Sequence, residues 1–206
     1  MKIARDAFFF VIPVLVIATL LWLLNFVLLG FLFLAIAIFV CFFFRDPNRT
    51  IPGGKDLVLA PADGKVLDLS KELDGTTRIS IFLSLLDVHI NRSPIGGTIQ
   101  EVRYHPGKFR MAFDQRASVD NERNVLTIAN GILTVRFSQI AGILARRIVC
   151  WKKAGDVVES GERIGLIRFG SRVDVFVPEN VVLELKRGDR VQGGSTVIGR
   201  VVRNGE

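Results

Sequence analysis

The chain has 206 residues and a formal net charge of +7, and half of its residues are hydrophobic. These residues are unevenly distributed: Thr19 and Asn25 are the only clearly polar side chains in residues 7–44, whereas residues 45–206 have the composition of a soluble domain. About 160 residues suffice for one domain with a core, so we expect no second large domain. The basic residues are scattered without interleaved aromatic residues, which argues against a nucleic-acid partner.

The apolar segment is long enough to enter a membrane twice. A spanning helix needs roughly 20 apolar residues, and residues 7–44 are too many for one comfortable span. Asn25 and Gly30 are the candidate break points. We therefore predict helices near 7–24 and 27–44 that form a membrane hairpin, with a single tilted helix or an in-plane insertion as alternatives.

Basic residues flank both ends of this segment: Lys2, Arg5, Arg45 and Arg49. By the positive-inside rule, a hairpin with such ends has both of them on the cytoplasmic side. A signal peptide is a poorer explanation, because its apolar core is shorter and a small-residue cleavage site follows it. We expect residues 1–45 to anchor the chain in the cell membrane, with residues 46–206 as a domain on the cytoplasmic face.

The sequence contains no pattern typical of a metal site. Its two cysteines, Cys41 and Cys150, are far apart, and neither belongs to a CxxC or Cys/His motif. We expect both to be buried, unreactive thiols and predict no bound metal.

The remaining sequence predicts a mainly β domain. Short alternating runs such as "RISIFLSL", "ILTVRFSQI" and "VVLELKRG" are separated by Gly, Pro, Asp and Asn. Only short stretches such as 138–147 are candidates for helix.

Two motifs each occur twice, 33 residues apart. "PADGKV" at 61–66 matches "PIGGTI" at 94–99, and "KAGDVV" at 153–158 matches "KRGDRV" at 186–191. These patterns resemble those of biotinyl/lipoyl-type domains. The resemblance implies a doubled barrel-sandwich hybrid in which distant segments of the chain pair with each other.

One functional hypothesis is therefore a membrane-anchored carrier or adaptor domain of the lipoyl type. Such a carrier needs a lysine at a hairpin apex to hold its cofactor. The corresponding place holds Gly170-Ser171-Arg172, and no lysine occurs between Lys153 and Lys186. The carrier hypothesis lacks its reactive residue.

Few residues suggest chemistry, and each has an ordinary structural explanation. The chain has two histidines, His89 in "DVHINRSP" and His105 in "YHPGKF". Asp63 lies in the turn "PADG", and Ser171 follows Gly170 in "RFGSRVDVF". Taken singly, none of these residues identifies a site.

Taken together, the motifs resemble one family. "FFFRDPNRTIP", "VLAPADGKV", "LSLLDVHINRSPIGG", "YHPGKF", "NERN" and "RFGSRVDVFVP" follow one another over nearly the whole chain. The combination resembles phosphatidylserine decarboxylases, in a compact membrane-anchored subclass that includes enzymes acting on archaetidylserine. The resemblance implies decarboxylation of a serine phospholipid to the ethanolamine phospholipid.

The resemblance also implies that the chain makes its own cofactor. Ser171 Oγ would attack the carbonyl of Gly170 and convert the peptide bond to an ester. β-Elimination would then separate residues 1–170 from residues 171–206, which would stay associated by strand pairing. Loss of ammonia would leave a pyruvoyl group at position 171, whose ketone forms a Schiff base with the substrate amine and withdraws electrons as CO₂ leaves.

The family pattern assigns supporting roles to other residues. Asp63 and a histidine of "DVHINRSP" form the relay that activates Ser171. Longer members carry two histidines three residues apart there, but this chain has His89 followed by Arg92. Either His89 serves both self-cleavage and decarboxylation, which we favour, or Asp63 acts more directly. Arg92 could instead bind the substrate phosphate or carboxylate, because arginine stays charged and cannot act as a base.

Basic residues of the domain are candidate contacts to the lipid headgroup, above all Lys108 and Arg123, with a solvated basic surface as the alternative. The expected partners are the phospholipid, the membrane and the second fragment, and edge strands allow a higher oligomer. A serine hydrolase is disfavoured, since Ser171 lacks the G-x-S-x-G elbow. A non-enzymatic adaptor would predict an intact chain.

Overall fold

Two helices occupy the apolar N-terminal segment. A computed structural model of the chain describes residues 2–112, 114, 116–143, 147–168 and 170–202. Helix α1 spans Phe8–Leu23 and helix α2 spans Val27–Phe43. The chain reverses between them at Asn25, which adopts a left-handed φ of 64°, whereas Gly30 lies inside α2. The reversal therefore occurs at the first of the two candidate break points.

The two helices belong to a unit that ends at Asn48. Strand β1 (Lys2–Ile3) pairs antiparallel with β2 (Arg45–Asp46), so the two ends of the hairpin lie side by side. Most of the large apolar side chains between them are exposed, as in Phe9 and Leu28. By length and composition the helical stretch Arg5–Leu23 could cross a membrane, and α2 is a shorter apolar helix. Surfaces of this kind suit a lipid environment.

The second unit begins at Arg49 and consists mainly of β-strands. The strands are β3 Leu57–Leu59, β4 Gly64–Lys71, β5 Thr77–Leu83, β6 Ile90–Arg92, β7 Gly97–His105, β8 Arg123–Ala129, β9 Thr134–Ala141, β10 Ile148–Cys150, β11 Val157–Val158, β12 Arg163–Ile167, β13 Ser171–Val177, β14 Val181–Leu183, β15 Arg190–Val191 and β16 Val197–Val201. One short helix, α3, spans Ala117–Asp120.

An eight-stranded antiparallel sheet dominates this unit. Its strand order is β11-β7-β8-β9-β13-β5-β4-β15, and two three-stranded sheets, β10-β12-β6 and β14-β16-β3, complete the fold. Alternate residues of the central strands are fully buried, for example Val173 and Val175 of β13 and Ile79 and Ile81 of β5. The core therefore lies against one face of the large sheet, and β13 runs through the middle of that sheet.

The repeated motifs pair with each other across the chain. Strand β15 pairs with β4 in the same register in which β11 pairs with β7. The glycine of each K-x-G-D motif donates its N–H to the last residue of a P-x-x-G-x-[VI] motif: Gly188 to Val66 and Gly155 to Ile99. The early and late parts of the domain are thus interleaved as two equivalent halves.

The short helical stretch expected near 138–147 is not observed where the structure describes it. Ser138–Ala141 completes strand β9, because these residues pair with β13 on one side and β8 on the other. Residues 144–146 lie outside the described part of the chain. Pairing on both sides outweighs the weak helical preference of so short a segment.

The face of β13 that points away from the core carries a buried ionic network. Arg172 Nε donates to Asp174 Oδ1 at 2.6 Å, and both side chains are almost fully buried. Arg172 also donates to Ser80 Oγ of β5, and Ser118 Oγ of α3 donates to Asp174 Oδ2. These contacts hold the start of β13 against its neighbours from the side opposite the core.

Candidate active site

Ser171 is the first residue of the central strand β13. It pairs with Leu83 of β5 on one side and Ala141 of β9 on the other. Its side chain is fully buried, and its Oγ has no hydrogen-bond partner among the residues that the structure describes. A buried hydroxyl without a partner is energetically unfavourable, which is typical of a group kept available for reaction.

The peptide bond before Ser171 has a constrained geometry. Gly170 has a φ of 63°, in the left-handed region that favours glycine. Its carbonyl oxygen packs directly against the backbone of Gly142, where an added Cβ would lie 2.1 Å from that oxygen. Gly142 therefore leaves the space that the Gly170 carbonyl occupies.

His89 is buried beside the segment that leads into Gly170-Ser171. Its carbonyl accepts a hydrogen bond from the N–H of Ile167, the last residue of β12, and its side-chain Nδ1 lies 3.0 Å from the carbonyl oxygen of Asp87. Because a carbonyl oxygen can only accept, Nδ1 carries a proton. In the neutral ring Nε2 then holds the lone pair and can accept a proton.

The turn before His89 is held in place by Asp87. The Asp87 carboxylate accepts hydrogen bonds from the N–H and the hydroxyl of Ser84, at 2.8 and 2.6 Å, and it pairs with Arg190. The turn 84–87 directly follows β5. Asp87 thus fixes the carbonyl that orients the His89 ring.

Asp63 lies immediately before β4 in a charged cluster. Arg49 Nη2 contacts both carboxylate oxygens, at 2.7 and 2.9 Å, and the N–H of Gly193 donates to Oδ1 at 2.8 Å. Burial raises the pKa of the Asp63 carboxyl above its usual 3.8, and the hydrogen bond from Gly193 and the charge of Arg49 offset this only in part. A carboxyl with a raised pKa in such a cluster is a candidate proton-transfer group.

The topology places Ser171, Asp63 and His89 at one end of the large sheet. Strands β13 and β4 lie on either side of β5 and run antiparallel to it, so both begin where β5 ends. With neighbouring strands about 4.8 Å apart, the starts of β13 and β4 are separated by roughly 10 Å. The turn 84–87 carries the chain from the same end of β5 to His89. The backbone therefore places Ser171, Asp63 and His89 at the same end of the large sheet.

Comparison with known proteins relates the chain to one family. A family model of phosphatidylserine decarboxylase matches residues 36–199. A phosphatidylserine decarboxylase proenzyme of Solibacter usitatus is 50% identical over 165 residues, covering 80% of each chain. One of Carboxydothermus hydrogenoformans is 43% identical over 204 residues, covering 96% of this chain and 95% of the relative.

The chain belongs to the phosphatidylserine decarboxylase family. The matched segment includes Ser171, His89 and Asp63 and the residues that contact them, from Arg49 to Gly193. The family consists of enzymes that are named decarboxylases, so the end of the sheet around Ser171 is the candidate active site of a phosphatidylserine decarboxylase family member.

The other predicted site residues, Arg92, Lys108 and Arg123, lie in three different environments. Arg92 is buried three residues beyond His89, where its Nη1 donates to the carbonyl of Gly161 at 3.1 Å. Lys108 is exposed in the loop after β7. Arg123 lines a polar cavity together with His105 and Asp174, on the face of the sheet opposite Ser171. Substrate contacts by Arg92, Lys108 and Arg123 remain predictions.

Three residues of the site were missed from the sequence. Arg49 and Asp87 both lie inside motifs that carry the family resemblance, so the sequence could have indicated them as site residues. Gly142 lies outside those motifs, and its role depends on a contact with Gly170 that no local pattern reveals.

Replacement of Arg49 should shift the pH dependence of the expected self-cleavage. The positive charge of Arg49 lowers the pKa of Asp63, so Arg49→Met should raise that pKa further. If Asp63 acts as a carboxylate, the acid limb of the cleavage rate moves to higher pH by about one unit or more. Cleavage is timed after cell-free synthesis at a series of pH values. Arg49→Lys keeps the charge and is the control; identical profiles for the two variants would contradict this role.

Replacement of Gly142 should impair cleavage by crowding the Gly170 carbonyl. The new Cβ of Gly142→Ala must displace that oxygen, and a misplacement of about 1 Å lowers reaction rates roughly 100-fold. Gly53→Ala is the matched control, because its Cβ would meet nothing within 4 Å. Fragment formation is followed by gel electrophoresis. Equal cleavage rates for the two variants would show that the contact has no role.

Proposed function

We propose that this protein is a phosphatidylserine decarboxylase that creates a pyruvoyl group by cleaving its own chain between Gly170 and Ser171. The observation that carries the proposal is the buried Oγ of Ser171, which has no hydrogen-bond partner among the described residues and directly follows a left-handed glycine. His89 and Asp63 lie at the same end of the large sheet, and the relatives are named proenzymes, which supports a processed chain.

In the first step, Ser171 Oγ adds to the carbonyl carbon of Gly170 as the hydroxyl gives up its proton. The C–N bond then breaks, the nitrogen takes a proton, and residues 1–170 are joined to Ser171 Oγ as an ester. We assign the proton acceptor to His89 Nε2, because Nδ1 is held as a donor by the Asp87 carbonyl. Gly142 keeps the Gly170 carbonyl in the position from which this addition starts.

In the second step, a base removes the Cα proton of residue 171 and the Gly170 carboxylate leaves, which separates the fragments 1–170 and 171–206. His89 is again the candidate base, since it is buried next to the segment that carries the ester. Water then replaces the nitrogen, which departs as ammonia and leaves the ketone. Asp63, with its raised pKa, can pass protons at this end of the sheet.

The residues present fit a pyruvoyl group, because its precursor is a serine, and Ser171 is buried directly after a glycine that adopts a left-handed φ. The group supplies a ketone that binds the serine amine of the substrate and accepts electrons as CO₂ leaves. The contribution of the chain is to bury that position, which limits access of water, and to supply His89 as the acid that returns a proton to carbon.

Strand pairing would keep the two fragments together. Strand β13 lies between β9 and β5, β15 pairs with β4 and β16 pairs with β3, so the fragment 171–206 is paired with strands of the larger one at three places. The buried pair Arg172–Asp174 adds contacts to Ser80 and Ser118 of the larger fragment. The equivalent register of the repeated motifs supports the doubled barrel-sandwich hybrid of biotinyl/lipoyl type.

The names of the relatives support phosphatidylserine as the substrate. Archaetidylserine carries the same headgroup and is the second candidate, so both lipids should be offered to the enzyme. Basic residues at both ends of the helical hairpin support a cell-membrane location with the catalytic unit on the cytoplasmic face. A carrier or adaptor function is less well supported, because Gly170-Ser171 occupies the place where a carrier lysine is needed.

Ser171→Ala should abolish both cleavage and decarboxylation. The Oγ forms no hydrogen bond within the described part of the chain, so we expect the variant to keep its thermal stability. Denaturing mass spectrometry should find two fragments in the native protein and one intact chain in the variant. Ser93→Ala removes another buried hydroxyl, which donates to the Ile95 carbonyl, and should still be cleaved. A cleaved or active Ser171→Ala protein would refute the proposal.

His89→Gln should slow cleavage by about 100-fold or more, the usual contribution of a general base. His105→Gln is the matched control, because His105 is the only other histidine and lines the cavity on the opposite face. Decarboxylation per cleaved chain, measured as CO₂ release, shows whether His89 also serves turnover. Normal cleavage and normal turnover in His89→Gln would remove it from the mechanism.

A further inference from the structure

A mostly apolar cavity of about 450 Å³ opens beside the cleavage site. Its walls are the end of β5 with the following turn, 82–86, together with Met111, Ala112 and Ile143, and Gly170 lies in its lining. Its volume falls within the roughly 300–1,000 Å³ typical of ligand sites. Since Ser171 itself is fully buried, this cavity is the natural route from the surface to the reacting atoms.

The mouth of the cavity is formed by four exposed apolar side chains, which we call the apolar rim: Leu85, Leu86, Met111 and Ile143. Their exposed fractions are 37%, 66%, 50% and 50%. They come from three separate segments of the chain that meet only in the folded structure. Exposed apolar residues that cluster around a binding cavity mark an interaction surface rather than chance exposure.

The surroundings of the apolar rim are basic. The loop 108–116 carries Lys108, Arg110 and Arg116 together with Asp114, and Arg147 is exposed shortly after Ile143. Arg110 pairs with Asp120 at 2.8 Å, which leaves Lys108, Arg116 and Arg147 as the exposed cations. Apolar side chains interleaved with lysine and arginine suit the interface of a bilayer that contains anionic lipid. The same chain also carries a helix that could cross a membrane, to which this unit is covalently joined.

We infer that the apolar rim docks into the surface of an anionic phospholipid bilayer, so that the serine headgroup of a lipid enters the cavity while its chains stay in the membrane. This inference rests on the proposed function for the identity of the lipid. It assigns Leu85, Leu86, Met111 and Ile143 to recognition of the membrane-embedded substrate, and Lys108 to the neighbouring anionic lipid surface. A second copy of the chain is the rival occupant.

The protein offers a matched pair of leucines for a test. Leu86 lies just beyond the end of β5, and Leu73, also exposed, lies in the turn before its start. A strand of this length separates the two by roughly 20 Å or more. Leu86→Asp and Leu73→Asp therefore make the same chemical change at opposite ends of one strand.

The full-length protein is reconstituted into phosphatidylcholine vesicles, and turnover per cleaved chain is measured on two substrates. One is long-chain phosphatidylserine in the bilayer, and the other is water-soluble dihexanoyl phosphatidylserine. In Leu86→Asp the loss on the bilayer substrate should exceed the loss on the soluble one by at least about tenfold. Leu73→Asp should show no such difference. Equal losses on both substrates, with or without a changed oligomeric state, would overturn the inference.

A second measurement separates this inference from the proposed function. An environment-sensitive fluorophore is attached at Leu86→Cys or Leu73→Cys in an uncleaved Ser171→Ala chain whose Cys41 and Cys150 are replaced by alanine. Phosphatidylserine-containing vesicles should blue-shift the emission at position 86 and leave position 73 unchanged. No shift at 86, or equal shifts at both positions, would refute rim docking. Failure of the native protein to decarboxylate any serine phospholipid would refute the proposed function alone.

Discussion

The pairing of β13 between β9 and β5 is the constraint on which the candidate site depends. Because both neighbours hold the strand from its first residue, Ser171 cannot turn towards solvent, and its Oγ stays buried. The chain must therefore turn immediately before the strand, and Gly170 makes this turn with a left-handed φ. A strand fixed on both sides and joined to such a turn would hold the Ser171 hydroxyl beside the Gly170 carbonyl, which is the proximity that the proposed self-cleavage requires.

This arrangement is locally unfavourable, and the rest of the fold compensates for it. An unsatisfied buried hydroxyl costs about 1–3 kcal/mol, and such costs persist only where the surroundings hold the group in place. Here the compensation comes from the valines of β13 in the core and from the Arg172–Asp174 network on the opposite face.

The acidic residues of the site are tied across the proposed break. Asp63 accepts a hydrogen bond from Gly193, and Asp87 pairs with Arg190, so both of these carboxylates contact the segment that follows residue 171. Because these contacts do not involve the peptide bond between residues 170 and 171, the same groups can serve before and after cleavage. One set of residues can therefore support both self-processing and turnover.

The sequence by itself determined the apolar N-terminal helices, the mainly β character of the domain, the doubled motifs and the candidates Ser171, His89 and Asp63. These features depend on local composition, on the alternation of apolar and polar residues, and on motifs whose order along the sequence resembles that of one family. The tertiary structure decided the rest: the strand at Ser138–Ala141, the separation of Arg123 from Ser171, the contact of Gly142 with the Gly170 carbonyl, and the apolar rim. Each of these depends on which distant strands become neighbours. Such neighbours are selected by the packing of the whole sheet, so no short stretch of sequence can encode them.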